Sequence, residues 1–203
     1  MVHIIPHWFC PHLGYDFGDN DKEIFEFLNL MDINKKRLRL RKISVFYPSI
    51  SGSNKDVVAN INNSIMNSEV ELLKIQFLKN GKARLDKLFE TYEIMLNQEG
   101  MLSIFLSVYT HAQKTDFGTK AYSSLTLNTQ TGKIYNFNDI FDPNTDYMNF
   151  INKIAEDCTG RCISIDKNQK YYLTPDDLVL YYDANGLTKI NIPYDKIKNI
   201  IVL

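Results

Sequence analysis

Leu102-Ser103-Ile104-Phe105-Leu106-Ser107-Val108-Tyr109 alternates without a break, with aliphatic residues at even positions and Ser, Phe, Ser and Tyr at odd ones. A period of two is the signature of a strand whose successive side chains leave opposite faces. Upstream, Leu88, Tyr92, Ile94 and Leu96 keep one parity, and Asn97-Gln98-Glu99-Gly100 supplies a hairpin turn. Downstream, a loop from His111 to Thr119 leads to a strand over Ala121 to Asn128. Thr129-Gln130-Thr131-Gly132 then turns into a strand over Lys133 to Phe137. The pattern predicts an antiparallel meander.

Before the meander, Val58, Ile61, Ile65, Leu72 and Ile75 recur at helical spacing, and Asn80-Gly81 supplies a stop. Ser53 with Asp56 three residues on resembles a capping box. Asn62, Asn63, Asn67 and Ser68 interrupt the apolar pattern, so the helix should cover the sheet rather than sink into it. Ahead of it, Lys35-Lys36-Arg37-Leu38-Arg39-Leu40-Arg41-Lys42 reads in two ways. One is an anion-binding or nucleic-acid-binding run; the other is an edge strand with Arg37, Arg39 and Arg41 outward and Leu38 and Leu40 inward. No aromatic residue is interleaved with these charges, which favours the edge strand. Apolar parity switches at Ile43 and Val45, predicting a bulge near Arg41.

After the meander, Phe150, Ile151 and Ile154 mark a second helix from Tyr147 to about Asp157, capped by Asn144, Thr145 or Asp146. Strands over Leu178 to Tyr182 and Leu187 to Ile192, joined at Ala184-Asn185-Gly186, precede a short helix over Tyr194 to Ile201. Residues 1–34 are acidic and irregular, with a short amphipathic helix expected over Asp21 to Met31.

The chain has 203 residues, 44% hydrophobic and 23% charged, enough to bury a core and inconsistent with wholesale disorder. A net charge of −1 gives no global attraction to nucleic acid or anionic membranes. No uninterrupted apolar run of membrane-span or signal-peptide length is visible, so the cytosol is the expected compartment. Three cysteines cannot all pair within one chain; Cys158 and Cys162 could close a small disulfide loop or remain thiols.

From Ile43 onward the order of segments resembles a PdaC-like domain followed by an RsiV-like C-terminal domain. The likeness is carried by Ile43-Ser-Val-Phe-Tyr-Pro-Ser-Ile50, Tyr92-Glu-Ile94 and Leu102 to Tyr109 in the first part. In the second it is carried by Leu125-Thr-Leu-Asn-Thr-Gln-Thr-Gly-Lys133, Phe137-Asn-Asp-Ile-Phe141, Tyr171 to Tyr182 and Ile192-Pro-Tyr-Asp-Lys-Ile197. The resemblance implies an α+β protein of two small subdomains, each an antiparallel meander covered by helices. Residues 1–36 would form an extension, 37–120 the first unit and 121–203 the second. It also implies a bacterial binding or sensing module, since such domains accompany an anti-sigma factor that senses lysozyme or a peptidoglycan deacetylase. The deacetylase's catalytic domain has no counterpart here. Relatives often carry Gly-Gly-Ala-His-Gly after the second meander strand; here Ala112-Gln-Lys-Thr-Asp-Phe-Gly118 keeps only the last glycine.

Chemistry-bearing residues are sparse. His3, His7, Cys10 and His12 are suitable ligand types for a transition metal, but Pro6 and Pro11 prevent one helix from presenting them together. Asp139, Asp142 and Asp146 lack the alternation of a calcium loop and read as caps. His111 or Asp176 could serve a hydrolase as acid or base, yet no nucleophile elbow or phosphate loop is present. Glu90 and Glu93 fall on opposite parities, and adjacent Asp176 and Asp177 read as turn formers. What remains is a surface: tyrosines at 109, 122, 135, 171, 172, 181 and 182 lie on or beside predicted strands. The expected ligand contacts are Tyr109, His111, Asp116, Lys120 and Tyr122, with a protein or cell-wall glycan as partner, no catalytic residues and no cofactor.

Overall fold

The computed structural model describes residues 31–40, 42–80, 85–112, 118–160, 164–183 and 186–203. The fold is α+β. A five-stranded sheet runs in the order β1 (Asp32–Leu40), β2 (Ile43–Ser51), β3 (Leu85–Gln98), β4 (Met101–Ala112), β5 (Thr119–Asn128). Helix α1 (Lys55–Asn80) connects β2 to β3, and those two strands pair in parallel over Ile43–Val45 against Leu88–Glu90. All other neighbours in this sheet are antiparallel. A 3-10 turn (Phe137–Ile140) and α2 (Tyr147–Thr159) lead to a three-stranded antiparallel sheet of β6 (Tyr171–Leu173), β7 (Asp177–Tyr182) and β8 (Thr188–Pro193). Helix α3 (Tyr194–Ile197) follows it.

The β3–β4 hairpin is set by its two-residue turn. Glu99 and Gly100 both have positive φ, 53° and 78°, the backbone that matches strand twist in a type I′ turn. From there Leu102, Ile104, Leu106 and Val108 project onto one face, where Ile61, Ile65 and Leu72 of α1 meet them to form the first apolar core. Each of these burials is worth about 1.5–3 kcal/mol. A second core gathers Phe137, Phe141, Ile151 and Ile154 against Leu178, Leu180, Ile190 and Ile192.

Several expectations are corrected. Residues 37–47 are not one bulged strand: Leu40 pairs with Ile43, so the parity switch marks a two-residue hairpin between β1 and β2. β1 is an edge strand, but Leu38 is 49% exposed because α1 does not reach that far out. A bulge between Ile94 and Leu96 takes Leu96 out of the face of Leu88 and into the second core. The α1 cap is Asn54, whose Oδ1 accepts the Val57 N–H at 3.3 Å, rather than Ser53. Ile75 of α1 and Phe150 of α2 are solvent-exposed despite their spacing, at 43% and 42%. Lys133 to Phe137 is not a full strand. A single bridge joins Leu127 to Ile134, and the 3-10 turn begins at Phe137. Tyr171–Leu173 forms β6, within the stretch that the resemblance reads as closing strands though alternation does not mark it, and the last helix ends at Ile197 rather than Ile201.

Asn62 is not a mere interruption of the apolar stripe. Because β2 leaves β3 after Val45, the Ile50 peptide has no strand partner on that side. Asn62 Oδ1 accepts the Ile50 N–H at 2.9 Å, and its Nδ2 donates to the Ile50 carbonyl at 3.1 Å. Asn97 makes the same bracket around Met31, both bonds at 2.9 Å.

Candidate functional site

The odd-numbered side chains of β4 leave the sheet on the side away from α1, and the second sheet covers only part of that side. Over the covered part, the Leu173 N–H donates to Ser103 Oγ at 3.0 Å, and Tyr181 Oη donates to Ser124 Oγ at 3.0 Å. Ser124 Oγ in turn donates to the Tyr171 carbonyl. Phe105 is the last covered residue. It stacks on Tyr122 with centroids 5.6 Å apart, and meets Tyr181 edge-on at 5.2 Å.

Beyond Phe105 the cover stops, leaving an open groove of about 580 Å³. Strand register assembles its floor in rows: Phe89, Tyr109 and Lys120 across β3, β4 and β5, then Thr91, Ser107 and Tyr122. Leu187 and Lys189 form the wall on the side of the second sheet. Lys189 Nζ stands 4.9 Å over the Phe105 ring and 5.3 Å over Tyr172.

Three of the residues expected at a ligand site, Tyr109, Lys120 and Tyr122, therefore line one groove. His111 pairs with Lys87 at the end of β4, half-buried, next to the groove rather than among its lining residues. Asp116 lies outside the described residues, as do His3, His7, Cys10, His12 and Cys162; Cys158 is an exposed free thiol. Among the described residues no three His, Cys, Asp or Glu side chains gather closely enough to hold a metal ion. Asp142 caps the turn at Asn144, whose N–H it accepts at 2.9 Å, and Asp139 accepts the Asn136 N–H at 2.8 Å. Asp146 precedes α2, but its carboxylate accepts Asn149 Nδ2 at 2.7 Å rather than a backbone N–H. Of the other tyrosines, Tyr172 and Tyr181 are buried against Phe105 between the sheets, and Tyr171 is buried in the second core against Phe137, so none of the three is displayed.

Two features hold the groove in shape. Gly118 lies against Tyr109: a Cβ there would stand 2.2 Å from Tyr109 Cε2, so only glycine leaves room for the ring as placed. On the opposite face, Thr110 and Thr119 both donate to Gln76 Oε1, at 3.0 and 2.9 Å, tying α1 to the roots of the 113–118 connection.

The proposed acid–base partners do not meet. Leu173 sits over Ser103, and Asp176 follows it by three residues, whereas His111 lies eight residues farther along β4, roughly 25 Å at strand rise.

A different carboxyl pair, not anticipated from the sequence, lies under α1. Glu69 is 2% exposed and Glu90 0%. Burial, reinforced by Glu90, pushes Glu69 up to about 8, and burial pushes Glu90 up to about 7. The signal was present. Glu90 shares the parity of Leu88 and Tyr92, and Glu69 continues the buried row of Ile61, Ile65 and Leu72. Among the described residues, helix and sheet together cover the pair.

Comparison with known proteins finds no matching family model and no matching curated protein. Solved structures do match in fold. One, described as a DUF3298 family protein from Pseudomonas aeruginosa PAO1, has a TM-score of 0.58 at 12% identity, over 85% of this chain and 93% of that one. A member of the DUF3298 family from Bacteroides fragilis NCTC 9343 has a TM-score of 0.57 at 11% identity, over 85% and 94%. At these identities the likeness is one of fold: nearly the whole of each DUF3298 structure is matched by this chain.

Proposed function

We propose that the protein is a non-enzymatic binding or sensing module, and that it takes a cell-wall saccharide or protein partner onto the open groove of the five-stranded sheet. The observation that carries this reading is the convergence of Tyr109, Lys120 and Tyr122 on one solvent-open surface of rings, hydroxyls and ammonium groups. Such a surface stacks and hydrogen-bonds ligands without needing an acid, a base and a nucleophile in register. The resemblance to envelope-associated domains supports the same reading by analogy of fold.

The test is capture of solubilised cell-wall fragments and of native lysate proteins by wild-type protein and by Tyr109→Ala, Lys120→Ala and Tyr122→Ala variants. Capture should fall about tenfold, one interaction of roughly 1.4 kcal/mol, with thermal unfolding little changed. Undiminished capture by all three would remove the groove from consideration.

A further inference from the structure

The groove does not end at Phe89. That ring is 45% exposed and meets Phe46 of β2 edge-on, with centroids 5.8 Å apart. Over Phe46, in turn, stand Lys35 Nζ at 4.6 Å and the Arg37 guanidinium carbon at 4.9 Å, both from β1. The exposed Lys87, Lys120 and Lys189 lie within the groove itself, where Glu93 is the acid among the lining residues. A chain of net charge −1 thus concentrates positive charge along one continuous sheet face. Such a field raises the local concentration of an anionic ligand.

Resting on the groove reading above, we propose that this face binds an acidic polysaccharide, a glycan whose carboxylates are met by Lys87, Lys120 and Lys189. The rings argue against single-stranded nucleic acid, which needs open ring faces on which successive bases stack. Here Lys35 and Arg37 stand over Phe46, Phe105 is covered by Lys189, and Tyr122 is stacked on Phe105, which leaves Phe89 and Tyr109 as the open rings, too short a run for successive bases. The hydroxyls of Thr91, Ser107 and Tyr122 match a polyol instead. An acidic peptide in extended form gains its affinity from backbone pairing at a sheet edge, and this site is a face.

The experiment is calorimetric titration of the full chain with hexameric galacturonate and with the same oligomer after its carboxyls are reduced to neutral alcohols. Poly-glutamate and oligo-dT serve as competing anions. Galacturonate should bind at least about tenfold more tightly than its neutral counterpart, and the advantage should shrink as salt rises from about 0.05 to about 0.5 M. The double variant Lys87→Glu with Lys120→Glu should abolish the advantage, whereas Lys153→Glu on α2 should not. Absence of galacturonate binding overturns the inference, as does tighter binding of poly-glutamate or oligo-dT. Equal binding of the neutral oligomer that still depends on Tyr122 overturns it too, yet leaves the groove reading standing.

Discussion

Glu69 and Glu90 place two carboxyls in an apolar layer where ionisation is costly. Their folded-state pKa values, about 8 and about 7, lie above the ordinary 4.5. The folded state therefore holds protons that the unfolded chain has released, so the contribution of these two groups to stability is fully present below about pH 4.5 and is lost as pH rises toward 7–8. Glu69→Gln should flatten this profile, adding about 1–3 kcal/mol at pH 8 and little at pH 4.5, as read by urea unfolding at both values. A stability curve indifferent to the substitution would contradict it. At the same scale, Gly118→Ala should push the Tyr109 ring from its seat. It should cost about 1–3 kcal/mol by overpacking and reduce capture as much as Tyr109→Ala does. Matched melting curves and capture assays check both effects. The carboxyl pair was legible in the sequence from parity and helical spacing. The contact between Gly118 and Tyr109 was not, because eight residues of chain separate them and only the fold brings them together.

At the level of elements, the two asparagine brackets close the wedge that opens where β2 and β3 part company. Asn62→Ala and Asn97→Ala should each destabilise by about 1–3 kcal/mol, because each leaves a backbone donor and acceptor without a protein partner. Hydrogen exchange at Ile50 and Met31, respectively, should accelerate first. The meander of β3, β4 and β5 was readable because strict alternation and a turn at Glu99 and Gly100 leave one solution. The β1–β2 hairpin was not, since Arg41-Lys42 carries none of the residues that usually mark a turn. Parallel pairing of three residues across α1 leaves no local trace in sequence either.

For the molecule as a whole, alternation told which side chains share a face but not what would cover it. The second sheet buries Phe105, Tyr172 and Tyr181 and stops short of Ser107 and Tyr109, and that half-covering creates the groove. The groove's floor rests on the first core and its wall on the aromatic cluster of Phe105, Tyr172 and Tyr181, so the surface is formed by the packing of the fold, which lowers the ordering cost of binding. The direct test is a chemical-shift map of the isotopically labelled protein titrated with soluble cell-wall saccharide fragments. The account predicts perturbations concentrated at Phe89, Thr91, Ser107, Lys120 and Tyr122. Perturbations confined to α1 or α2, with those five signals unmoved, would contradict it.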